Sequence, residues 1–190
     1  MTPDTATNAR ALEDELLAIG CQLGDRDAFD ALIARWHQPL WKYARRLSAD
    51  DDAASEVTQD VWVRVLRGIG RLREPARLRA WLFGITHRAL MDRLRLKYST
   101  LDTIGVDDVE LVAAESAEDI EGELETMQEG LARLPVVERE VLTLFYLREL
   151  TLAEVAESLD VPVGTVKSRL FRARHLLRRE LDGSVSKGDR

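Results

Sequence analysis

The sequence is poor in cysteine and lacks both long apolar runs and strand-forming patterns. Cys21 is the single cysteine in 190 residues, which excludes an internal disulfide and a cysteine-based metal site. No run of about eighteen apolar residues exists, and the amino terminus lacks the basic start and apolar segment of a signal peptide. We therefore expect a cytoplasmic protein without membrane insertion. Because no Asn-Gly or Asp-Gly turn lies between two alternating apolar-polar runs, the pattern predicts an all-α fold.

Charge is distributed unevenly along the chain. The formal net charge is -7, which is unfavourable for a nucleic-acid binder if the charge is spread evenly. However, residues 64–97 contain ten Lys and Arg residues against two acids, whereas residues 98–132 contain eleven acids and no Lys or Arg. This asymmetry is more informative than the net charge, because it allows an acidic protein to have a cationic surface that binds nucleic acid.

Residues 151–181 carry the most informative pattern, a short helix, a tight turn and a long basic helix, which is typical of helix-turn-helix DNA readers. Thr151 is the predicted N-cap, with Glu154 three residues later, and Pro162 lies where the second helix begins. Helical spacing predicts a buried stripe of Val166, Leu170, Ala173, Leu177 and Leu181. The opposite face comprises Gly164, Ser168, Phe171, Arg172, His175 and Arg179, flanked by Lys167, Arg174 and Arg178. A solvated surface helix would explain the charge, but it would not explain the turn and the stripe.

Apolar periodicity predicts the remaining helices. The first spans about Leu12 to Leu23, and the second carries Phe29 to Leu47, with a bend or local break at Pro39. The third is capped by the Asp50–Asp52 run and stops near Gly68 or Gly70, and the fourth spans about Leu78 to Lys97. After the acidic segment, helices resume near Ile120 and continue beyond Pro135.

These elements predict two small helical domains joined by an acidic, flexible linker. The predicted parts are an N-terminal extension with a helix (1–24), a first helical domain (25–98), the linker (99–119), a second helical domain with the helix-turn-helix (120–182) and a disordered tail (183–190). The first domain holds most of the aromatic residues, which indicates a compact core there.

Four segments carry a resemblance to a known family. They are DAFDALIARWHQPLWKYARRL, DAASEVTQDVWVRVLRGIGRL, RAWLFGITHRALMDRLR, and LARLPVVEREVLTLFYLRELTLAEVAESLDVPVGTVKSRLFRARHLLR. In this order, from about residue 25 to residue 181, they resemble the extracytoplasmic-function sigma factors of the sigma-70 family, the promoter-specificity subunits of bacterial RNA polymerase. The VGTVKSRLFRAR segment is the most specific. The resemblance implies a region 2-like first domain and a region 4-like second domain.

The resemblance also implies a function and its residues. We expect a non-enzymatic initiation factor that binds core RNA polymerase, recognises minus-35 and minus-10 elements and assists promoter melting. The implied contacts to the clamp helices of the largest subunit are Glu56, Gln59 and Asp60. The implied minus-10 contacts, to single- and double-stranded promoter DNA, are Arg73, Arg77, Arg79, His87, Arg88, Asp92 and Arg95. The implied minus-35 contacts are Gly164, Thr165, Lys167, Ser168, Arg169, Phe171 and Arg172.

The sequence leaves several points open. Arg88 occupies a position where many relatives carry asparagine, so the identity of the captured base is undetermined. Arg169 lies nearer the buried stripe than the exposed face, which favours a DNA-backbone contact. The acidic linker is either a nucleic-acid mimic on the polymerase or a solvated spacer. An anti-sigma factor is the implied regulatory partner, and nothing in the residues identifies it.

Two other function classes compete with this interpretation. A conventional helix-turn-helix regulator shares the C-terminal pattern, but a sensing domain has no need for the arginine-rich stretch of residues 64–97. An enzyme is disfavoured because the three histidines lie in no metal-ligand spacing and no phosphate-binding loop or nucleophile motif occurs. We expect no cofactor and no metal.

Overall fold

The structure is a computed structural model that describes residues 4–99 and 129–185, with side chains described for 8–96 and 129–181. Every regular element in these ranges is helical, as predicted. The helices are α1 (Asp4–Gln22), α2 (Arg26–Leu47), α3 (Asp51–Gly68), α4 (Leu78–Ser99), α5 (Val136–Leu142), α6 (Leu152–Leu159) and α7 (Val163–Val185). Short 3-10 turns at Ile69–Arg71 and Pro75–Arg77 connect α3 to α4, and a π-helical turn, Thr143–Leu147, extends α5.

Some predictions fall outside this range. Beyond Ser99, the predicted linker (99–119) and the resumption of helix near Ile120 lie outside the described residues. Part of the predicted tail, 186–190, lies outside them as well, whereas the helical backbone of α7 extends to Val185. Within the described part of the chain, no helix is long and apolar enough to span a membrane.

The N-terminal unit, α1 to α4, is built around aromatic side chains of α2 and α4. Trp36 and Tyr43 both meet Phe83 edge to face, with ring centroids 6.0 and 5.4 Å away. The α2 helix continues through Pro39 without interruption, so a local break is not observed there. At the start of α3 the Asp50 side chain accepts a hydrogen bond from the Ala53 amide at 2.7 Å, which confirms the predicted cap.

The C-terminal unit, residues 129–185, contains the helix-turn-helix. Thr151 and Glu154 form a reciprocal capping box at the start of α6, with hydrogen bonds of 2.7 and 3.2 Å. Asp160, with φ of 53°, ends α6 in the left-handed conformation, which reverses the chain direction ahead of α7. The turn therefore depends on Asp160 as well as on the predicted Pro162, which directly precedes α7.

The two units pack against each other, an arrangement that the sequence pattern does not predict. The Ser158 hydroxyl of α6 donates to the Ala80 carbonyl of α4 at 3.0 Å. Gly84 lies so close that a Cβ there would be 3.4 Å from the Ser158 carbonyl oxygen. Nearby, the buried Tyr43 hydroxyl donates to Oε1 of Glu140 at 2.5 Å. As a result, α4 is both part of the N-terminal core and the surface on which the C-terminal unit rests.

Candidate nucleic-acid interface

The α7 helix separates a buried stripe from an exposed cationic face, as predicted. Val166, Leu170 and Ala173 are buried, and Leu177 and Leu181 are half-buried. The side chains on the opposite face are open to solvent, and Phe171 is 73% exposed. The exposed residues are Gly164, Lys167, Ser168, Phe171, Arg172, Arg174, His175, Arg178 and Arg179. An aromatic ring that is kept in water among cations is a feature of nucleic-acid surfaces.

Two predicted contact residues of α7 lie at the margin of this face. Thr165 and Arg169 are half-buried, in agreement with the prediction that Arg169 lies nearer the stripe. Ser168 is exposed, and its hydroxyl donates to the Thr165 carbonyl at 2.9 Å within the same helix. These positions can contact a DNA backbone beside the exposed face, where arginine, serine and threonine commonly bind phosphate.

Arg172 is the one α7 side chain of the candidate DNA face that is paired with a buried acid, within the described residues. Its Nη2 atom lies 2.5 Å from Oε1 of Glu138, which comes from α5. The Glu138 side chain is 1% exposed, whereas that of Arg172 is 68% exposed. Sequence reasoning identified Arg172 but missed Glu138, because no local pattern connects an acid of α5 to the face of α7.

Three of the predicted minus-10 residues face the C-terminal unit. Nη1 of Arg77 lies 3.4 Å from Glu157 Oε2, and its Nε lies 2.8 Å from Glu74. Arg79 donates a hydrogen bond to the Arg148 carbonyl. Nδ1 of His87 lies 2.8 Å from Oε1 of Glu140. In this arrangement Arg77, Arg79 and His87 are occupied by protein partners.

The other predicted minus-10 residues lie elsewhere on the N-terminal unit. Asp92 accepts a 2.9 Å hydrogen bond from Arg64 of α3 and lies 3.9 Å from Arg95. Burial tends to lower the pKa of Arg64, but hydrogen bonds and charges from Asp92 and Asp60 outweigh this effect and raise it. Arg73, Arg88 and Arg95 are exposed. The structure therefore does not gather all seven residues into one open cluster.

The predicted polymerase-binding residues share the exposed side of α3. Glu56 pairs with Arg93, and Asp60 pairs with Arg64 at 2.8 Å. Gln59 is exposed and lines a groove of about 500 Å³ between α2 and α3, whose walls also include Ile33, His37, Gln38, Trp41, Ser55 and Trp62.

Sequence reasoning missed the apolar part of this α3 surface. Val63 and Leu66 are 41% and 64% exposed, and they follow Gln59 by four and seven residues. Those intervals place them on the same helical face as Gln59. The apolar periodicity of the sequence predicts Leu66 on the buried side of α3 with Val57, Val61 and Val65, and its exposure shows that this prediction is wrong. A mixed polar and apolar face of this kind is suited to binding another protein.

Arg46, Arg139 and Arg148 lie where the two units meet; Arg139 is buried, and the other two are half-buried. Arg139 donates to the carbonyls of Leu134 and Arg46, at 2.9 and 3.2 Å, and also to that of Ala132. Burial lowers the pKa of Arg139, and burial together with the neighbouring Arg46 lowers that of Arg148 to about 10. The hydrogen bond from Arg139 to the Arg46 carbonyl joins the two units, and these arginines do not belong to the exposed face of α7.

Comparison with protein families matches two models to the two units. The model described as "Sigma-70 region 2" matches residues 32–99, and the model described as "Sigma-70, region 4" matches residues 124–177. The second match begins four residues inside the predicted second domain (120–182) and ends within α7.

Curated relatives match most of the chain. The ECF RNA polymerase sigma factor SigM of Mycobacterium tuberculosis is 37% identical over 158 residues, which cover 83% of this chain and 79% of SigM. SigW of Bacillus subtilis is 29% identical, covering 83% of this chain and 91% of SigW. The ECF RNA polymerase sigma-E factor of Escherichia coli is 28% identical, covering 87% and 93%.

Solved structures show the same fold. CnrH, in complex with the cytosolic domain of CnrY, aligns with a TM-score of 0.66 at 25% identity, covering 90% of this chain and 98% of CnrH. The sigma factor RpoE of Bartonella quintana, in complex with the anti-sigma factor NepR, aligns with a TM-score of 0.67 at 25% identity, covering 85% and 98%.

Proposed function

The chain belongs to the extracytoplasmic-function RNA polymerase sigma factors, and from this membership we propose that it directs core polymerase to promoters through two DNA-binding surfaces. Members of this family are promoter-specific initiation factors without catalysis of their own. The proposal assigns the minus-35 element to α7, and it assigns the minus-10 element and its melting to α4 and the loop before it. The alternative, a helix-turn-helix regulator that acts apart from polymerase, is not favoured by this membership.

The observation that carries the proposal is the exposed face of α7. The stripe that includes Val166 and Leu170 fixes the helix against its unit, so that Ser168, Phe171 and Arg172 project outward from a rigid element. Bidentate contacts of arginine to a guanine edge contribute about 1–3 kcal/mol of base discrimination each. The other cations of the face, such as Lys167, position the helix on phosphates and contribute affinity without sequence preference.

The minus-10 surface requires a rearrangement in this proposal. Capturing unstacked bases costs a few kcal/mol per base, which must come from protein contacts. Arg88 and Arg95 are exposed, Arg95 with a long 3.9 Å ion pair to Asp92, whereas His87 is paired with Glu140 and Arg79 with Arg148. Separation of the C-terminal unit from α4 would release His87 and Arg79 to DNA.

The polymerase surface is proposed on α3. Glu56, Gln59 and Asp60 supply its polar part, with Val63 and Leu66 beside them. Burial of the two apolar side chains would add affinity at roughly 25 cal/mol per Å². The expected counterpart is the pair of clamp helices in the largest subunit of the polymerase.

We also propose that an anti-sigma factor regulates this chain. The structures of CnrH and of Bartonella quintana RpoE are complexes, with the cytosolic domain of CnrY and with the anti-sigma factor NepR. The likeness of this chain to both sigma subunits supports a partner of the same class. Nothing in the chain identifies that partner.

Capture by core RNA polymerase tests the proposal. The full chain is expected to bind immobilised core enzyme, and the Gln59→Ala, Asp60→Ala double variant is expected to bind more weakly because it loses the polar part of the α3 face. Lys167→Ala serves as the control, since it lies on the other unit and is expected to bind normally. If the chain does not bind core enzyme, the regulator alternative is favoured instead.

A salt titration tests the DNA part separately. In the polymerase complex, each lost phosphate contact lowers the slope of log K against log salt by about 0.9. Lys167→Ala is therefore expected to lower the slope on promoter DNA by about that amount. An unchanged slope would remove Lys167 from the phosphate contacts.

A further inference from the structure

Glu138 is a buried acid whose only charged partner in the described part of the chain lies on the DNA-reading helix. Its side chain is 1% exposed, and Arg172 Nη2 approaches Oε1 at 2.5 Å. This distance makes the contact an ion pair, but its angles do not meet those of a hydrogen bond. The other oxygen of Glu138, Oε2, has no hydrogen-bond partner among the described residues. Because an unpaired buried carboxylate is costly, the pairing constrains both side chains.

Arg172 retains most of its donors despite this pair. A guanidinium has five N–H donors in a planar fork, and the contact with Glu138 engages one terminal nitrogen. The side chain remains 68% exposed, so the other donors face solvent on the side of α7 where DNA is proposed to bind. A bidentate contact to guanine needs two parallel N–H groups, which Arg172 can still supply.

The pair also compensates the charge of Arg172. Lys167 and Arg169, on the same helix, make no ion pair within the described residues. Phosphate binding depends mainly on net charge, whereas a base edge is read by hydrogen-bond geometry. The Glu138 carboxylate therefore weakens phosphate binding by Arg172, because it compensates the charge. It favours base reading, because it fixes the orientation of the guanidinium.

We propose that Glu138 is a positioning residue for promoter specificity, which holds Arg172 as a base-reading fork instead of a phosphate-binding cation. This inference rests on the proposed function of α7. It assigns a role in DNA recognition to a side chain of α5 that does not itself reach DNA.

A double-mutant cycle in the polymerase complex tests the inference. The probe is a pool of double-stranded promoter fragments in which the upstream element is randomised, and the readout is the base ratio at each position after selection. Arg172→Ala is expected to flatten the preference at one or two positions by about 5- to 150-fold. Glu138→Gln is expected to flatten the same positions by about 2- to 12-fold, the range for immobilising one long side chain. Base ratios do not depend on how much of a variant is folded.

The effect of Glu138→Gln must pass through Arg172. In the Arg172→Ala background, Glu138→Gln is expected to change neither the base ratios nor the salt slope. In the wild-type background it is expected to steepen the salt slope by up to about 0.9, since it frees one cation for a phosphate. Gln22, which donates to the carbonyls of Ile69 and Leu72 in the N-terminal unit, offers a matched control as Gln22→Glu, and this change should leave the base ratios as they are.

The outcomes separate this inference from the proposed function. If Arg172→Ala flattens the ratios but Glu138→Gln has no effect, or has the same effect in both backgrounds, the positioning role is wrong and the proposed function stands. If the wild-type complex selects no upstream sequence, the proposed function fails together with the inference.

Discussion

At the scale of single residues, the most consequential contacts connect parts of the chain that are far apart in sequence. Tyr43 and His87 of the N-terminal unit both meet Oε1 of Glu140 in the C-terminal unit. Burial, reinforced by the Glu140 carboxylate, raises the pKa of Tyr43 well above its ordinary value, so the hydroxyl stays protonated and donates. One buried carboxylate thus joins the two units and occupies a candidate DNA contact.

Tyr43→Phe is expected to destabilise the protein by about 1–3 kcal/mol, because it leaves a buried carboxylate with one partner fewer. Urea unfolding of the full chain measures this change. The matched control is Tyr146→Phe, since Tyr146 is 49% exposed and, among the described residues, its hydroxyl accepts one long 3.4 Å contact, from Arg174. A loss below about 0.5 kcal/mol for Tyr43→Phe would show that the hydroxyl contributes little.

Asp14 gives a prediction for pH dependence. It is 8% exposed, and it accepts a 3.1 Å hydrogen bond from the Trp36 indole beside Arg35. Burial raises the pKa of Asp14 above its ordinary value despite these partners. The folded state therefore binds this proton more tightly than the unfolded state, and the contribution of Asp14 to stability falls as pH rises from its unfolded pKa through its folded one.

The stability difference between wild type and Asp14→Asn, measured by urea unfolding across the acid range, is the direct readout of this effect. The wild type is expected to lose stability relative to Asp14→Asn as pH rises. A difference that grows in the opposite direction would mean that the ion pair with Arg35 outweighs the burial of the carboxylate.

At the scale of elements, the sequence predicts helices and their faces well. The α7 stripe, the capping box of Thr151 and Glu154, and the Asp50 cap are local patterns that depend on residues three or four apart, and all are observed. The uninterrupted course of α2 through Pro39 is less predictable, because tertiary packing offsets a local preference there. The apolar extension of the α3 face becomes visible only when the helix is seen beside its neighbours.

The α3 face gives a prediction at this scale. The double variant Val63→Ala, Leu66→Ala is expected to weaken capture by core polymerase, because it removes apolar surface that would be buried on binding. Since both side chains are exposed in the free chain, the free energy of unfolding is expected to change by no more than about 0.5 kcal/mol. Phe171→Ala is the control, since it removes an exposed apolar side chain from the DNA face instead. Equal capture of the two variants would exclude Val63 and Leu66 from the polymerase surface.

At the scale of the whole molecule, the packing of the two units is the feature that no local pattern predicts. Ser158, Gly84 and Ala80 are unremarkable in sequence, yet they bring α6 against α4. Contacts such as Tyr43 to Glu140 join residues 97 positions apart. The periodicity of one helix contains no information on contacts between helices that are distant in sequence. The sequence therefore predicts candidate residues such as His87 one by one, but it does not predict that Glu140 is the partner of His87.

Gly84→Leu is expected to force the two units apart, because a side chain larger than alanine at this position meets the Ser158 backbone. Small-angle scattering should then give a larger radius of gyration than for the wild type. Gly70→Leu is the matched control, since a Cβ at Gly70 meets nothing within 4 Å. An unchanged radius for Gly84→Leu would mean that the interface adapts without opening.

Whether the chain directs polymerase through two DNA-binding surfaces is measured by transcription with core RNA polymerase from a pool of randomised promoter fragments. The reaction is run with and without the full chain, and the transcribed templates are sequenced. We expect the chain to enrich two sequence blocks at a constant spacing, one for each DNA-binding surface on a single polymerase. Enrichment of one block only, or initiation that does not depend on the chain, would contradict this expectation.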